Sequence, residues 1–191
     1  MTPKSEQLPP WRPLLKAASH REGHSPMGRW LQLATIAADG SPRVRTLVFR
    51  GWRDGQTLEL FTDSRSAKAQ ELVHDPRLEV CWLLPKARCQ FRLRGHALQM
   101  EAHDQDHRED THWQQLRPEA RALWGWPEPG ALKEPNANFP SAIADGKPTP
   151  ENFLLLSLEI TQVELLELTN SPHRRRRWLA EDGWIERDLN P

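Results

Sequence analysis

The chain has no tyrosine, only two cysteines, and a formal net charge of zero over 191 residues. Each shortage excludes something. With 26 basic and 26 acidic residues in balance, no global field exists to grip a polyanion, which excludes a broadly basic nucleic-acid binder. Cys81 and Cys89 do not make a disulfide framework. No Cys/His cluster has zinc-site spacing. His103 and His107 share a helical face, but a solvated polar face explains them better and no metal is expected. No apolar run approaches the roughly 20 residues of a membrane-spanning helix, and residues 1–7 lack the apolar core of a secretory signal. The expectation is a reduced, cytoplasmic protein with no membrane or nucleic-acid partner. What the chain has instead is nine tryptophans, large amphipathic packers that seal cores and subunit contacts.

The length suits one domain with a real core, so residues 1–191 are read as a single unit. Pro and apolar spacing over Leu8–Ala18 predict a helix or arm within residues 1–26. Strands follow at Arg29–Ala37, Arg43–Trp52 and Thr57–Thr62, joined by the turn signals Asp39-Gly40 and Asp54-Gly55. Ser64–Val73 reads as a helix stopped by Asp75-Pro76. Leu78–Leu84 and Cys89–Met100 read as strands, the second with a bulge or kink at Gly95. Cys81 falls in a buried-type strand and is read as core. Asp104–Leu123 is a polar helix or helix pair that Pro118 restarts. Residues 125–150 have no period and read as a long loop. Phe153–Ile160 and Gln162–Leu168 are two further strands, and Trp178–Ala180 with Trp184–Arg187 closes a hairpin. Hairpin-joined strands with inserted helices give an α+β chain around an antiparallel barrel.

The chemistry concentrates in two segments. Arg45-Thr46-Leu47-Val48-Phe49-Arg50 carries two guanidiniums on an apolar strand; Phe61-Thr62-Asp63-Ser64-Arg65-Ser66-Ala67-Lys68 ends a strand and opens a helix. A phosphate monoester wants forked guanidinium donors, hydroxyls and free N–H groups, and a helix start favours anions. If the strands pair, Arg45, Arg65 and Lys68 converge with Ser66 on one point. The bland alternative is a set of solvated surface cations.

The order of these motifs, then Gln90-Phe-Arg-Leu-Arg-Gly95, then the Arg174–Arg177 cluster and the closing Leu189-Asn-Pro191, resembles the pyridoxamine 5'-phosphate oxidase family, in a divergent branch of oxidase-related FMN-binding proteins. The resemblance implies an FMN-binding split β-barrel with peripheral helices, working as a homodimer with FMN at the interface. It implies FMN contacts from Arg45, Thr46, Leu47, Val48, Arg50, Phe61, Thr62, Ser66, Lys68, Gln90 and Arg177. The family's Arg beside that Lys is Ala67 here, and Arg65 is the substitute from two positions earlier. The family's C-terminal Trp contact is Leu166 here.

The substrate positions match less well. Where the oxidases place Tyr, Arg and Ser along one helix, this chain has Trp113, Arg117 and Arg121; where they have Arg-x-His, it has His173 and Arg175. FMN binding therefore follows more securely than oxidation of pyridoxamine phosphate. In such a site the flavin carries the redox chemistry, and Arg50 and Arg177 are the guanidiniums that would stabilise charge developing on it. The leading expectation is an FMN-dependent oxidoreductase acting on a small, possibly phosphorylated substrate, with oxygen as possible acceptor. A flavin carrier or sensor without turnover, or a flavin reductase of the same fold, stands beside it.

Overall fold

A computed structural model describes residues 8–99 and 102–191; Met100 of the expected fifth strand and the first seven residues of the arm lie outside that range. Helix α1 (Trp11–Arg21) precedes a meander of β1 (Trp30–Ile36), β2 (Pro42–Trp52) and β3 (Thr57–Asp63), all antiparallel. After helix α2 (Ala67–His74) come β4 (Arg77–Leu84) and β5 (Cys89–Ala97). Helices α3 (Ala102–Gln115) and α4 (Pro118–Arg121) lead through a long irregular segment to β6 (Phe153–Glu167), β7 (Arg174–Leu179) and β8 (Arg187–Leu189). The strand order is β3-β2-β1-β4-β5-β6-β7-β8, and β3 also pairs with β6. That extra pairing closes six strands into an antiparallel barrel and leaves β7 and β8 as a flap on β6. The fold is the expected α+β split barrel.

Alternation decides which residues fill the barrel. Leu31 and Leu33 of β1, Leu58 and Leu60 of β3, Val80 and Trp82 of β4, and Phe91 and Leu93 of β5 are fully or almost fully buried. Burying each such side chain contributes about 1.5–3 kcal/mol against leaving it exposed. Several tryptophans do seal the barrel: Trp11 of α1 meets Trp52 at 5.5 Å and Trp184 at 5.7 Å. The Arg12 guanidinium lies 3.8 Å over the Trp52 ring, and burial pushes its pKa down to about 10.

Three expectations about elements are corrected. The strands expected at Phe153–Ile160 and Gln162–Leu168 are one strand, β6. Its buried positions shift phase at Thr161, because Arg94 pairs with Gln162 while the next residue, Gly95, pairs with Ile160. Thr161 is the extra residue of a bulge, which bends β6 so that its first half pairs with β3 and its second with β7. The closing hairpin differs in both arms: its first strand starts earlier than expected, since the whole arginine run belongs to β7, and its second is Arg187–Leu189 rather than Trp184–Arg187. Carboxylates on the neighbours of β7 make the arginine run tolerable: Arg175 meets Glu164, Arg176 meets Glu167, and Arg174 meets Glu186 and Asp188. Helix α2 begins at Ala67 rather than Ser64, because the Asp63 carboxylate accepts from the Arg65 N–H and holds a turn there.

The reading of Cys81 as a core residue is also corrected. Cys89 packs in the core, while Cys81 is half-buried. Burial pushes the Cys89 thiol up to about 11, so almost no thiolate exists at neutral pH. Native protein at pH 8 is expected to leave Cys89 unalkylated by iodoacetamide while the denatured chain labels fully; mass-spectrometric labelling of Cys89 in the native state would contradict this.

Candidate functional site

β2 has two partners of unequal length. It pairs with β1 from Pro42 to Val48, but with β3 only from Phe49 to Trp52. Among the described residues, the earlier part of β2 therefore has one open edge, where main-chain groups of alternate residues such as Thr46 are left for another partner. β3 meanwhile leans away to pair with β6 through Asp63. The gap between β2 and β3 opens into a groove of about 1050 Å³. Its floor and sides include Thr46, Leu47, Val48, Arg50, Phe61, Thr62 and Lys68. The groove therefore joins both sequence segments that carry the phosphate-like pattern.

One end of the groove is cationic. The Lys68 ammonium donates to the Thr62 hydroxyl at 2.8 Å and the Ser66 hydroxyl at 3.0 Å. Both hydroxyl residues are buried. Burial first, then the nearby Arg45 charge, hold the Lys68 pKa below its ordinary value. Arg45 is anchored by Glu71 at 2.6 Å, and its guanidinium also donates to the Thr35 hydroxyl. Lys68 and Glu71 lie three apart on α2, one helical face, so one helix supplies a cation and the brace for another. Lys68 also stands in the first turn of α2, where N–H groups lack helical acceptors. Ser66, at the N-cap, turns its hydroxyl instead to the Asp63 carbonyl at 2.6 Å.

The rest of the groove is flatter and more apolar. Leu47, Val48 and Phe61 line one side. Arg50 lies 4.9 Å over the Phe61 ring; burial, then the Arg29 charge, lower its pKa. The irregular segment supplies the other wall, including Trp124, Trp126 and Phe139. Trp126 and Phe139 meet edge-on at 5.6 Å, and the Trp124 indole N–H donates to the Thr62 carbonyl at 3.0 Å. A phosphate group fits the donors of Arg45, Lys68 and the two hydroxyls, and the open strand edge and apolar walls fit a flat polar-rimmed ring. The residues present thus fit FMN.

Not every expected residue joins them. Arg65 turns to Asp63 at 2.7 Å and to the Trp126 carbonyl at 3.1 Å, bracing the wall rather than meeting Lys68. Gln90 and Arg175 lie on a different surface, a small cleft with Arg92, Glu164 and Leu166. Arg177 is two residues along β7 from Arg175, opposite Glu164, and its Nε is buried without a hydrogen-bond partner. His173 is exposed and bonds the Asn170 carbonyl at 3.0 Å. Arg117 is exposed at the N-cap of α4.

Trp113 and Arg121 are structural. Trp113 is fully buried against Trp124 and Phe153 and donates to the Lys147 carbonyl at 2.9 Å. Arg121, only 1% exposed, donates to the carbonyls of Trp113, Gln114 and Ala144 and pairs with Asp145 at 2.8 Å. Its donors tie the α3–α4 corner to the long irregular segment, which removes both residues from any substrate pocket. Part of the groove's second wall is legible in the sequence, where Trp124-Gly125-Trp126-Pro127 reads as a cluster that stacks on a ligand or caps the barrel end; the stretch from Glu128 to Phe139 carries no such signal. Sequence reasoning missed Thr35 and Glu71, for which the Lys68–Glu71 helical spacing was the available clue.

Residues 8–101 match the profile of the family described as pyridoxamine 5'-phosphate oxidase, FMN-binding domain. The chain is 31% identical over 193 residues to the pyridoxine/pyridoxamine 5'-phosphate oxidase 2 of Arabidopsis thaliana, covering 95% of this chain and 97% of that one. A crystal structure of a pyridoxamine 5'-phosphate oxidase-related, FMN-binding protein from Nostoc punctiforme superposes with a TM-score of 0.87 at 36% identity, covering 97% of this chain and all of that one. PhzG from Burkholderia lata, solved with tetrahydrophenazine-1-carboxylic acid, shares the fold at a TM-score of 0.78 and 22% identity, over 94% of this chain and 89% of that one. The groove between β2 and β3 and these likenesses lead to one assignment: the chain belongs to the pyridoxamine 5'-phosphate oxidase family of FMN-binding proteins, with FMN as its cofactor.

Proposed function

We propose that the protein is an FMN-dependent oxidoreductase that acts on a small anionic molecule and works as a homodimer. The observation that carries the reading is the half-desolvated Lys68, bridging Thr62 and Ser66 beside Arg45 at one end of the groove. Lys68, Arg45 and the hydroxyls hold the cofactor's phosphate; Thr46, Leu47, Val48, Phe61 and Thr62 hold its ring. The chemistry FMN would supply when held there is hydride acceptance from a substrate carbon and reoxidation by an acceptor such as oxygen. Arg50, stacked on Phe61 within the groove, offers a preorganised positive charge to that step.

The homodimer is supported by how the expected contacts divide. Gln90 and Arg177 sit on the outward side of β5 and β7, apart from the groove. Two incomplete sets on one closed barrel become one complete set when two chains face each other. Between them, the outer faces of β2, β1 and β4 carry the exposed apolar residues Val44, Trp30 and Leu83, surface that a second chain would bury.

The substrate is expected to differ from pyridoxamine 5'-phosphate in how it is held, since Trp113 and Arg121 are committed to the core. The same fact favours a second reading, a flavin carrier without turnover. An anaerobic absorbance spectrum separates them. Flavin bands near roughly 370 and 450 nm that bleach on adding pyridoxamine 5'-phosphate are the result expected of an oxidase of this substrate. Persistent bands with that compound and with other small reductants would favour the carrier, and no flavin after supply of FMN would sink the reading. Light scattering of the flavin-loaded protein is expected to give twice the mass of one chain; a monomer would refute the shared site.

A further inference from the structure

A second cleft of about 530 Å³ adjoins the groove and shares Val48 and Arg50 with it. The turn after α1 forms its far side, with His24, Ser25 and Arg29 among the lining residues. Among the described residues, no carboxylate lines it. Arg50 feels the positive charge of Arg29 and has no carboxylate among the charges acting on it. Among the described residues, neither arginine forms an ion pair with an acidic side chain, in contrast to Arg45, Arg65, Arg92, Arg121 and Arg175, which all do. Two like charges facing one cleft, one of them half-buried, repel each other until an anion lies between them.

We infer that this cleft is an oxyanion subsite, in which Arg29 and Arg50 clamp the carboxylate or phosphate of the substrate at the edge of the flavin groove. The inference rests on the functional reading above and adds the substrate's recognition group. Arg50 belongs to both spaces, so an anion held there brings the rest of a small molecule to the Phe61 and Val48 side of the groove. Arg29 is held in place by the backbone: its N–H donates to the Pro26 carbonyl at 2.9 Å and its carbonyl accepts from the Phe49 N–H at 2.8 Å. The position is therefore built into the start of β1. The cleft offers a cation pair free of carboxylates, whereas Arg121 at the α3–α4 corner is spent on carbonyls and Asp145.

The test uses flavin-loaded protein, in which the cofactor's own phosphate fills the Arg45–Lys68 end. Inorganic phosphate and, in a separate arm, acetate are titrated at constant ionic strength, with the flavin difference spectrum as readout. Saturable binding of at least one anion is expected, and the tighter arm identifies the substrate group as phosphate or carboxylate. Arg29→Gln is expected to weaken that binding about 10- to 100-fold while the flavin affinity stays unchanged. Arg43→Gln, at an exposed position near the start of β2 and outside the lining of the cleft, is expected to bind the anion as the parent does. Equal anion affinity in Arg29→Gln and the parent, or no saturable effect in the parent, would overturn the subsite. If FMN fails to load, the functional reading fails separately. Phosphorus line broadening of inorganic phosphate then still compares Arg29→Gln with the parent, both carrying Lys68→Met: a lost signal supports the cleft and an unchanged one refutes it.

Discussion

Lys68→Met is expected to weaken FMN binding about 10- to 100-fold and to leave the barrel folded. The Lys68 ammonium gives hydrogen bonds to two buried hydroxyls, and none of its partners is a carboxylate that would be stranded by its loss. Methionine keeps the apolar stem and fills similar space. Lys68 is already desolvated in the free protein, so removing its charge relieves a cost in the apo state while deleting an attraction in the bound state. The comparison variant is Arg45→Met. It removes a phosphate donor too, but it leaves Glu71 buried without its 2.6 Å partner, and breaking a buried pair costs about 3–5 kcal/mol. Arg45→Met should thus lose both flavin and stability, and Lys68→Met flavin alone. Fluorescence titration with FMN and with riboflavin, which lacks the phosphate, checks the cause. Riboflavin affinity should be the same in Lys68→Met and the parent. Equal loss of both ligands would mean that Lys68 shapes the groove rather than holding a phosphate.

The part of this site that was legible in the sequence is the part built by short-range rules. Strand alternation puts Arg45 and Leu47 on one face of β2, and the strand-to-helix turn puts Thr62, Ser66 and Lys68 within a few residues of one another. Turn signals at Asp39-Gly40 and Asp54-Gly55 fixed the β1–β2–β3 meander, which is the groove's frame. What stayed hidden depends on partners distant in sequence. Arg121 looks like a helix-surface cation, and only the arrival of Ala144 and Asp145 from the irregular segment turns it into a buried brace. The arginine run of β7 reads in sequence only as a dense basic cluster; that Glu164, Glu167, Glu186 and Asp188 come alongside it depends on the fold. Arg65 has its competing partner, Asp63, only two residues away. That pair was visible, and local neutralisation wins over a longer reach to Lys68. The single strand β6 was split in reading because its apolar period breaks at Thr161, and a bulge and a turn leave the same mark on periodicity.

Gly95→Ala is expected to destabilise the fold by about 3 kcal/mol or more, at the upper end of overpacking effects. A Cβ at Gly95 would stand 1.8 Å from the Glu159 carbonyl oxygen and 3.0 Å from the Ile160 Cα. Both obstacles are backbone, so no side chain can swing away. The strands must part at the β5–β6 bulge, where β6 passes from β3 to β7. For a chain of this size about 3 kcal/mol corresponds to a fall in Tm of roughly 6–12 °C. Gly51→Ala is the control. Nothing lies within 4 Å of a Cβ there, and a change within about 0.5 kcal/mol is expected. Thermal and urea unfolding measure both, and a Gly95→Ala protein melting like the parent would refute the close approach. The substitution also tests how the barrel serves the site. Gly95 does not line the groove, yet β3, which carries Phe61 and Thr62, is held on its other side by β6. If the strain stays at the bulge, the folded fraction of Gly95→Ala binds FMN with parental affinity. If β6 shifts along its length, β3 moves with it, and FMN affinity falls well below the unfolding temperature; the closure of the barrel is then what sets the width of the groove.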